Sequence, residues 1–244
     1  MTVFLSSSPC IDGVAPATLN PQNHFLDLLR SKLPENPRCL FVASSPDDRE
    51  ATCHFGSEMF GAFAGAGIYF SGYEVLDRIS EEFAAELVYD SDLIILAGGH
   101  VPTQNAFFNE IGLAELLQDY EGVILGISAG TMNAAEMVYM QPEEEGESDP
   151  DFVRFAPGLG LTQVNVCPHY QKVKDNYLDG KRLFEDVTYK DSMGNTFFAL
   201  PDGSFFLIDE GKTLLFGEAY RIRDGILEQL SENICSILPL EDIL

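Results

Sequence analysis

Three continuous apolar runs, Cys39 to Ala43, Leu93 to Ala97 and Val123 to Ile127, constrain the fold of this chain most. A strand with one face in water alternates apolar and polar residues, so strands without alternation must be covered on both faces. Before and between these runs lie stretches of helical character: Asn20 to Leu33, stopped by Pro34, then Arg49 to Gly65, Ser80 to Glu86, and the amphipathic Phe107 to Tyr120. Val3 to Ser6 and Tyr73 to Leu76 are shorter strand candidates. The pattern predicts an α/β fold with a doubly wound, mostly parallel sheet and helices on both faces. Near the C-terminus it changes. Phe197 to Leu200, Ser204 to Ile208 and Thr213 to Phe216 are strands separated by Asp202-Gly203 and Glu210-Gly211, which predicts an antiparallel hairpin series added to the sheet. No repeat and no linker rich in Gly, Ser or Pro interrupts the chain, so one domain over residues 1–244 is expected.

The charge balance narrows the partners. The chain carries 39 acidic against 14 basic residues, a net −25, with a pI near 4.2. Such a surface repels nucleic acid and anionic membranes, and neither is expected as a partner. An anionic substrate would need a local cationic pocket against this field. Five cysteines (Cys10, Cys39, Cys53, Cys167, Cys235) are scattered and never spaced Cys-x-x-Cys, the usage of a reducing compartment. No basic leader and no span-length apolar segment is present, which predicts a cytosolic protein. The oligomeric state is left open.

The third apolar run ends in Gly126-Ile127-Ser128-Ala129-Gly130, followed by helix-forming residues from Thr131 to Val138. Strand, Gly-x-Ser-x-Gly and helix together describe a nucleophile elbow, a turn sharp enough to leave the serine hydroxyl clear of the sheet edge. The Ala129 amide would then point to where an oxyanion forms. A serine hydroxyl is a weak nucleophile near neutral pH and needs a base. Of four histidines, His24 and His54 lie in helical stretches and read as structural or exposed, whereas His169 follows an apolar strand and sits at a strand end as Ser128 does. Gly98-Gly99 closes the strand Leu93 to Ala97 and exposes amides without side chains, as a second oxyanion donor requires. His100 follows and could face the same crevice. No cofactor is expected: no cluster has metal-ligand spacing, and no dinucleotide or phosphate-loop pattern appears. The acidic run Glu143 to Glu147 lacks the spaced ligands of a calcium loop and reads as solvated surface.

Leu96-Ala97-Gly98-Gly99, Gly126-Ile127-Ser128-Ala129-Gly130 and Asn165-Val166-Cys167-Pro168-His169-Tyr170 together resemble the dipeptidase E (aspartyl dipeptidase) and cyanophycinase family of serine peptidases. The resemblance covers residues 90 to 170 and extends loosely to the N-terminal strand–helix pattern. It implies a fold like that of class I glutamine amidotransferases, with serine replacing cysteine at the elbow. It implies Ser128 as nucleophile, His169 as general base and then acid, and the Gly99 and Ala129 amides as oxyanion hole. It also implies an orienting carboxylate shortly after the elbow helix, where ungapped spacing offers Glu143, with Glu144 and Glu145 as neighbours. An acidic residue before the scissile bond would want a cation, and Arg154, Lys172 and Lys174 are near in sequence; Arg154 and His100 are taken as substrate-binding candidates. The expected function is hydrolysis of small peptides through an acyl-enzyme. Alternatives are an esterase of the α/β-hydrolase kind, which usually separates nucleophile and base more widely, and a non-catalytic relative that binds a peptide or metabolite. A glutamine amidotransferase would need an elbow cysteine, and Cys167 is on another strand.

Overall fold

A computed structural model of the chain describes residues 1–231 and 237–244. Cys235 lies outside the described residues. The three continuous runs are neighbours in one eight-stranded sheet. Its parallel half comprises β1 (Thr2–Ser6), β2 (Arg38–Val42), β3 (Gly72–Leu76), β4 (Leu93–Leu96) and β5 (Val123–Ile127), in the order β3-β2-β4-β5-β1. The apolar continuity has the expected cause. Phe4, Phe41, Leu93, Ile95 and Leu125 pack with Phe25, Met59 and Phe63 on one face. Val3, Leu5, Leu40, Val42, Ile94, Leu96 and Ile124 pack with Phe107, Phe108 and Leu113 on the other. The helices α1 (Phe25–Lys32) and α2 (Arg49–Gly65) supply the first layer, and α4 (Val101–Glu110), which follows α3 (Ala84–Tyr89), supplies part of the second.

Four expected helices differ in extent: the stretch from Asn20 is α-helical only from Phe25, the one from Ser80 only over Ala84–Tyr89, and two others differ for identifiable reasons. The helix placed at Phe107 begins at Val101, because Pro102 fits the first turn and Gln104 and Asn105 turn polar side chains inward toward partners. The elbow helix α5 spans only Ala129–Asn133 rather than reaching Val138. The carbonyls of Asn133, Ala134 and Ala135 are taken by the backbone N–H groups of Leu159, Leu161 and Gly160, so the helical ladder cannot continue, and Met137–Tyr139 forms a strand with Phe155–Pro157.

The C-terminal third holds two structures where one hairpin series is expected. β6 (Asn165–Cys167) and β7 (Thr196–Ala199) run parallel in a second, four-stranded sheet with β10 (Ala219–Arg223) and β11 (Ile226–Ser231). β8 (Phe205–Asp209), β9 (Lys212–Phe216) and β12 (Ile237–Pro239) extend the first sheet antiparallel beyond β1. Hence Asp202-Gly203 joins two sheets rather than two hairpin strands, while Glu210-Gly211 is a hairpin turn as expected. The second sheet packs on the first through Val166, Phe198 and Leu200. This arrangement brings the ends of β6 and β7 to the ends of β1 and β5. Among the described residues no helix is long and apolar enough to cross a membrane.

Candidate active site

β5 ends at Ile127, and the backbone reverses at Ser128, whose φ of 49° and ψ of −108° are unusual for a residue with a side chain. The surroundings hold it there. The Ser128 N–H lies 3.1 and 3.2 Å from the carbonyls of Ser6 and Ser7, and the Thr131 hydroxyl donates to Ser6 O at 2.7 Å. Gly130 is required by contact: a Cβ at this position would meet the Leu96 carbonyl oxygen at 2.2 Å. Gly99 is required likewise, since its Cβ would lie 2.4 Å from the Ser44 hydroxyl. A buried polar network locks the two turns together. Asn133 donates to Val101 O and Gln104 Oε1 and accepts from Asn105, and Gln104 donates to Ala97 O.

Facing the elbow, His169 Nε2 is 3.0 Å from Ser128 Oγ, and His169 Nδ1 is 2.6 Å from Asp202 Oδ1. The backbone positions both residues. β6 and β7 are paired in register Cys167↔Ala199, the Leu200 N–H donates to Cys167 O, and the Tyr170 N–H donates to Leu200 O. His169 and Asp202 therefore follow two hydrogen-bonded strands and emerge side by side. Ser7, at the end of β1, ties them further: its hydroxyl accepts from the His169 N–H at 2.7 Å and donates to Asp202 Oδ1 at 2.9 Å. Lys172 Nζ lies 2.9 Å from Asp202 Oδ2. Burial alone would raise the Asp202 pKa, but His169, Lys172 and Ser7 outweigh it and hold the carboxyl well below its usual range. An ionised Asp202 accepts from Nδ1–H, which leaves the Nε2 lone pair facing the Ser128 hydroxyl.

Sequence reasoning places Glu143 at Nδ1, and the structure corrects this: the carboxylate there is Asp202. Glu143 instead stands on an acidic strap at the rim. Though exposed, its carboxylate is crowded by the surrounding protein, which pushes its pKa up, to about 7; His100 and His169 pull it down and Glu147 and Glu144 add to the rise. Nor is the strap merely solvated. Glu147 accepts the N–H groups of Glu143 and Glu144 and meets His100 Nε2 at 2.8 Å, while Asp179 accepts from Gly146 and Ser148. His100 Nδ1 is 2.7 Å from the Thr103 hydroxyl, so both ring nitrogens have partners within the chain. Arg154 is committed as well, to Asp191 at 3.2 Å and to the Glu147 carbonyl, with its guanidinium 5.0 Å from the Phe152 ring centroid. These contacts anchor Arg154 within the chain. His100, Glu144 and Glu147 offer donor atoms within 4.8 Å of one another, but Glu147 already serves His100 and two backbone donors. His24 and His54 are exposed and remote in sequence from these elements.

The sequence profile of peptidase family S51 matches residues 8–216, which takes in the elbow, His169 and Asp202. The chain belongs to peptidase family S51. It is a serine-type peptidase, and its α/β fold is shared by a structural neighbour, a protein of Listeria monocytogenes EGD-e described as a "putative peptidase E protein". That crystal structure aligns with a TM-score of 0.60 at 15% sequence identity, covering 94% of this chain and 98% of the other. No curated protein matches the chain.

Asp202 and Ser7 are the members of this hydrogen-bonded cluster that sequence reading misses. Asp202-Gly203 has the composition of a hairpin turn, and only the parallel pairing of β6 with β7 turns it toward His169. Ser6-Ser7-Ser8 at a strand end carries a weak signal of the same kind. A broad concavity of about 690 Å³ lined by Lys32, Tyr89, Tyr120 and Gly122 lies at the opposite, N-terminal ends of β4 and β5 and holds no nucleophile–base pair.

Proposed function

We propose that this S51 peptidase hydrolyses small peptides, dipeptides among them, through an acyl-enzyme on Ser128, with His169 as proton carrier and Asp202 as orienting carboxylate. The observation that carries this reading is the continuous line Ser128 Oγ, His169 Nε2, His169 Nδ1 and Asp202 Oδ1, with steps of 3.0 and 2.6 Å. His169 takes the Ser128 proton as the hydroxyl attacks the scissile carbonyl, then returns it to the leaving amine. A water molecule, activated by the same imidazole, releases the acyl part. The negative charge that develops on the carbonyl oxygen would be met by the N–H groups of Gly99 and Ala129, neither of which has a hydrogen-bond partner among the described residues. Asp202 keeps the productive tautomer and stabilises the imidazolium. Free Cys10, Cys39, Cys53 and Cys167 fit a reducing compartment such as the cytosol.

Ser128→Ala tests the reading. It should lower peptide turnover by about 10,000-fold or more, with an unchanged thermal transition; turnover at the parent rate would refute it. An acidic residue before the scissile bond is a second reading, favoured by the half-exposed Lys172 ammonium on the far oxygen of Asp202. That ammonium already faces two carboxylates, Asp12 and Asp202. Equal kcat/KM on Asp-Leu and Asn-Leu would dismiss the preference.

A further inference from the structure

Lys172 touches neither the hydroxyl nor the imidazole of the proposed site, yet it completes the far side of the orienting carboxylate. Asp202 divides its two oxygens: Oδ1 takes His169 Nδ1 at 2.6 Å and the Ser7 hydroxyl at 2.9 Å, and Oδ2 faces Lys172 Nζ at 2.9 Å. Lys172 continues the line outward to Asp12 Oδ1 at 2.6 Å. Exposure rises along it, from 6% for the Asp202 side chain to 43% for Lys172 and 58% for Asp12. A buried carboxylate is thereby linked to the surface through one ammonium. The position of that ammonium is fixed locally, because Lys172 lies in the single turn α6 (Tyr170–Val173) that begins directly after His169, and its own N–H donates to His169 O.

We propose that Lys172 is a positioning residue that sets the pH at which His169 becomes available as a base. The inference rests on the Ser128–His169–Asp202 reading. A free carboxylate would both orient the imidazole and attract a proton to it, and a protonated imidazole cannot accept from Ser128. An ammonium on the second oxygen keeps the orientation but opposes that proton, since like charges repel across the short span of one carboxylate. Availability of the base therefore extends to lower pH. Asp12 moderates the effect by neutralising part of the ammonium's field. A further charged group that acts on His169 is Glu143, on the acidic strap, which has His100, Glu144 and Glu147 around it. Glu143, Asp202 and Asp12 favour a positive imidazole, and Lys172 works against them. Partial burial would lower the Lys172 pKa, but Asp12 and Asp202 outweigh it and raise it above the ordinary lysine value, so the ammonium stays charged through the working range.

The experiment is the pH profile of kcat/KM for the full chain on an uncharged-residue dipeptide, compared among the parent, Lys172→Met, Lys172→Arg and Asp12→Asn. Lys172→Met should move the acid limb up by about half a pH unit to one unit, so that rates on that limb fall about three- to ten-fold. Lys172→Arg should restore the parent limb. Asp12→Asn, a surface change, should move the limb the opposite way, to lower pH. A Lys172→Met limb that stays in place or moves down, or an Asp12→Asn limb that moves up, overturns the proposal, as does a fall of the plateau alone. If Lys172→Met does not fold, Asp12→Asn decides. Labelling of Ser128 by a fluorophosphonate separates the two levels: parent protein that hydrolyses the peptide without labelling condemns the catalytic reading itself, whereas labelled protein with an unmoved limb condemns only the role of Lys172.

Discussion

The parallel half of the large sheet and the C-terminal third contribute to one line of hydrogen-bonded side chains in different ways. The first supplies the elbow and the Gly98-Gly99 turn from short, contiguous motifs, each a strand followed at once by its candidate residues. The second supplies His169 and Asp202, which lie 33 residues apart in sequence and meet only because β6 and β7 pair in parallel. Local chemistry is written in the first region and assembled by pairing in the second. Between them stands Ser7, which reaches Asp202 across 195 residues.

Two different carboxylates, Asp202 and Glu143, act on His169. Asp202→Asn should lower kcat by about 10,000-fold, because an amide leaves the imidazole in the wrong tautomer or without its orienting acceptor. Glu143→Gln should cost less than about ten-fold, since Glu143 makes no hydrogen bond to the imidazole. Rates measured side by side on one dipeptide check both; the reverse ranking would return the orienting role to the strap.

That ranking also marks what was legible. The continuous runs at β2, β4 and β5 reveal a two-sided sheet because their alternate residues are buried in two different clusters. Ser128 is legible because the elbow needs small residues within a few positions of it. His169 is legible as a histidine after an apolar strand. Asp202 is not, because Asp-Gly at a turn is common and the change of sheet between β7 and β8 leaves no local trace. Glu143 misleads for a related reason: ungapped spacing ignores that α5 stops at Asn133, where the residues around Gly158 take over its carbonyls.

The parallel half is expected to fail by sterics. Gly130→Ala would drive a methyl group into the Leu96 carbonyl and should cost about 3 kcal/mol of stability, read as a lower denaturation midpoint. A smaller loss is expected where the two turns are tied. Asn133→Ala removes the donor to Gln104 Oε1 and one acceptor of the Asn105 amide and should cost about 1–3 kcal/mol, measured in the same way. A stable, fully active Asn133→Ala protein would show that the elbow does not depend on this network.

The smallest effect concerns pH and the strap. The Glu143 pKa is raised in the folded protein, to about 7, so the native state holds a proton that the unfolded chain loses near its ordinary value. Stability from this group is therefore present at low pH and lost as pH rises toward 7. Glu143→Gln should match the parent near pH 4 and exceed it in thermal stability near pH 8, with solvent at the rim keeping the difference small. The opposite crossing would mean that the strap stabilises the charged carboxylate.

A covalent adduct tests the line from Ser128 to Asp202 most directly. Mass spectrometry of the protein after treatment with a fluorophosphonate should find one modification, on Ser128, lost in His169→Ala and slowed in Asp202→Asn while Glu143→Gln labels at close to the parent rate. Active protein whose adduct maps elsewhere, or whose Ser128 labels equally well without His169, would contradict the line of atoms from Ser128 to Asp202.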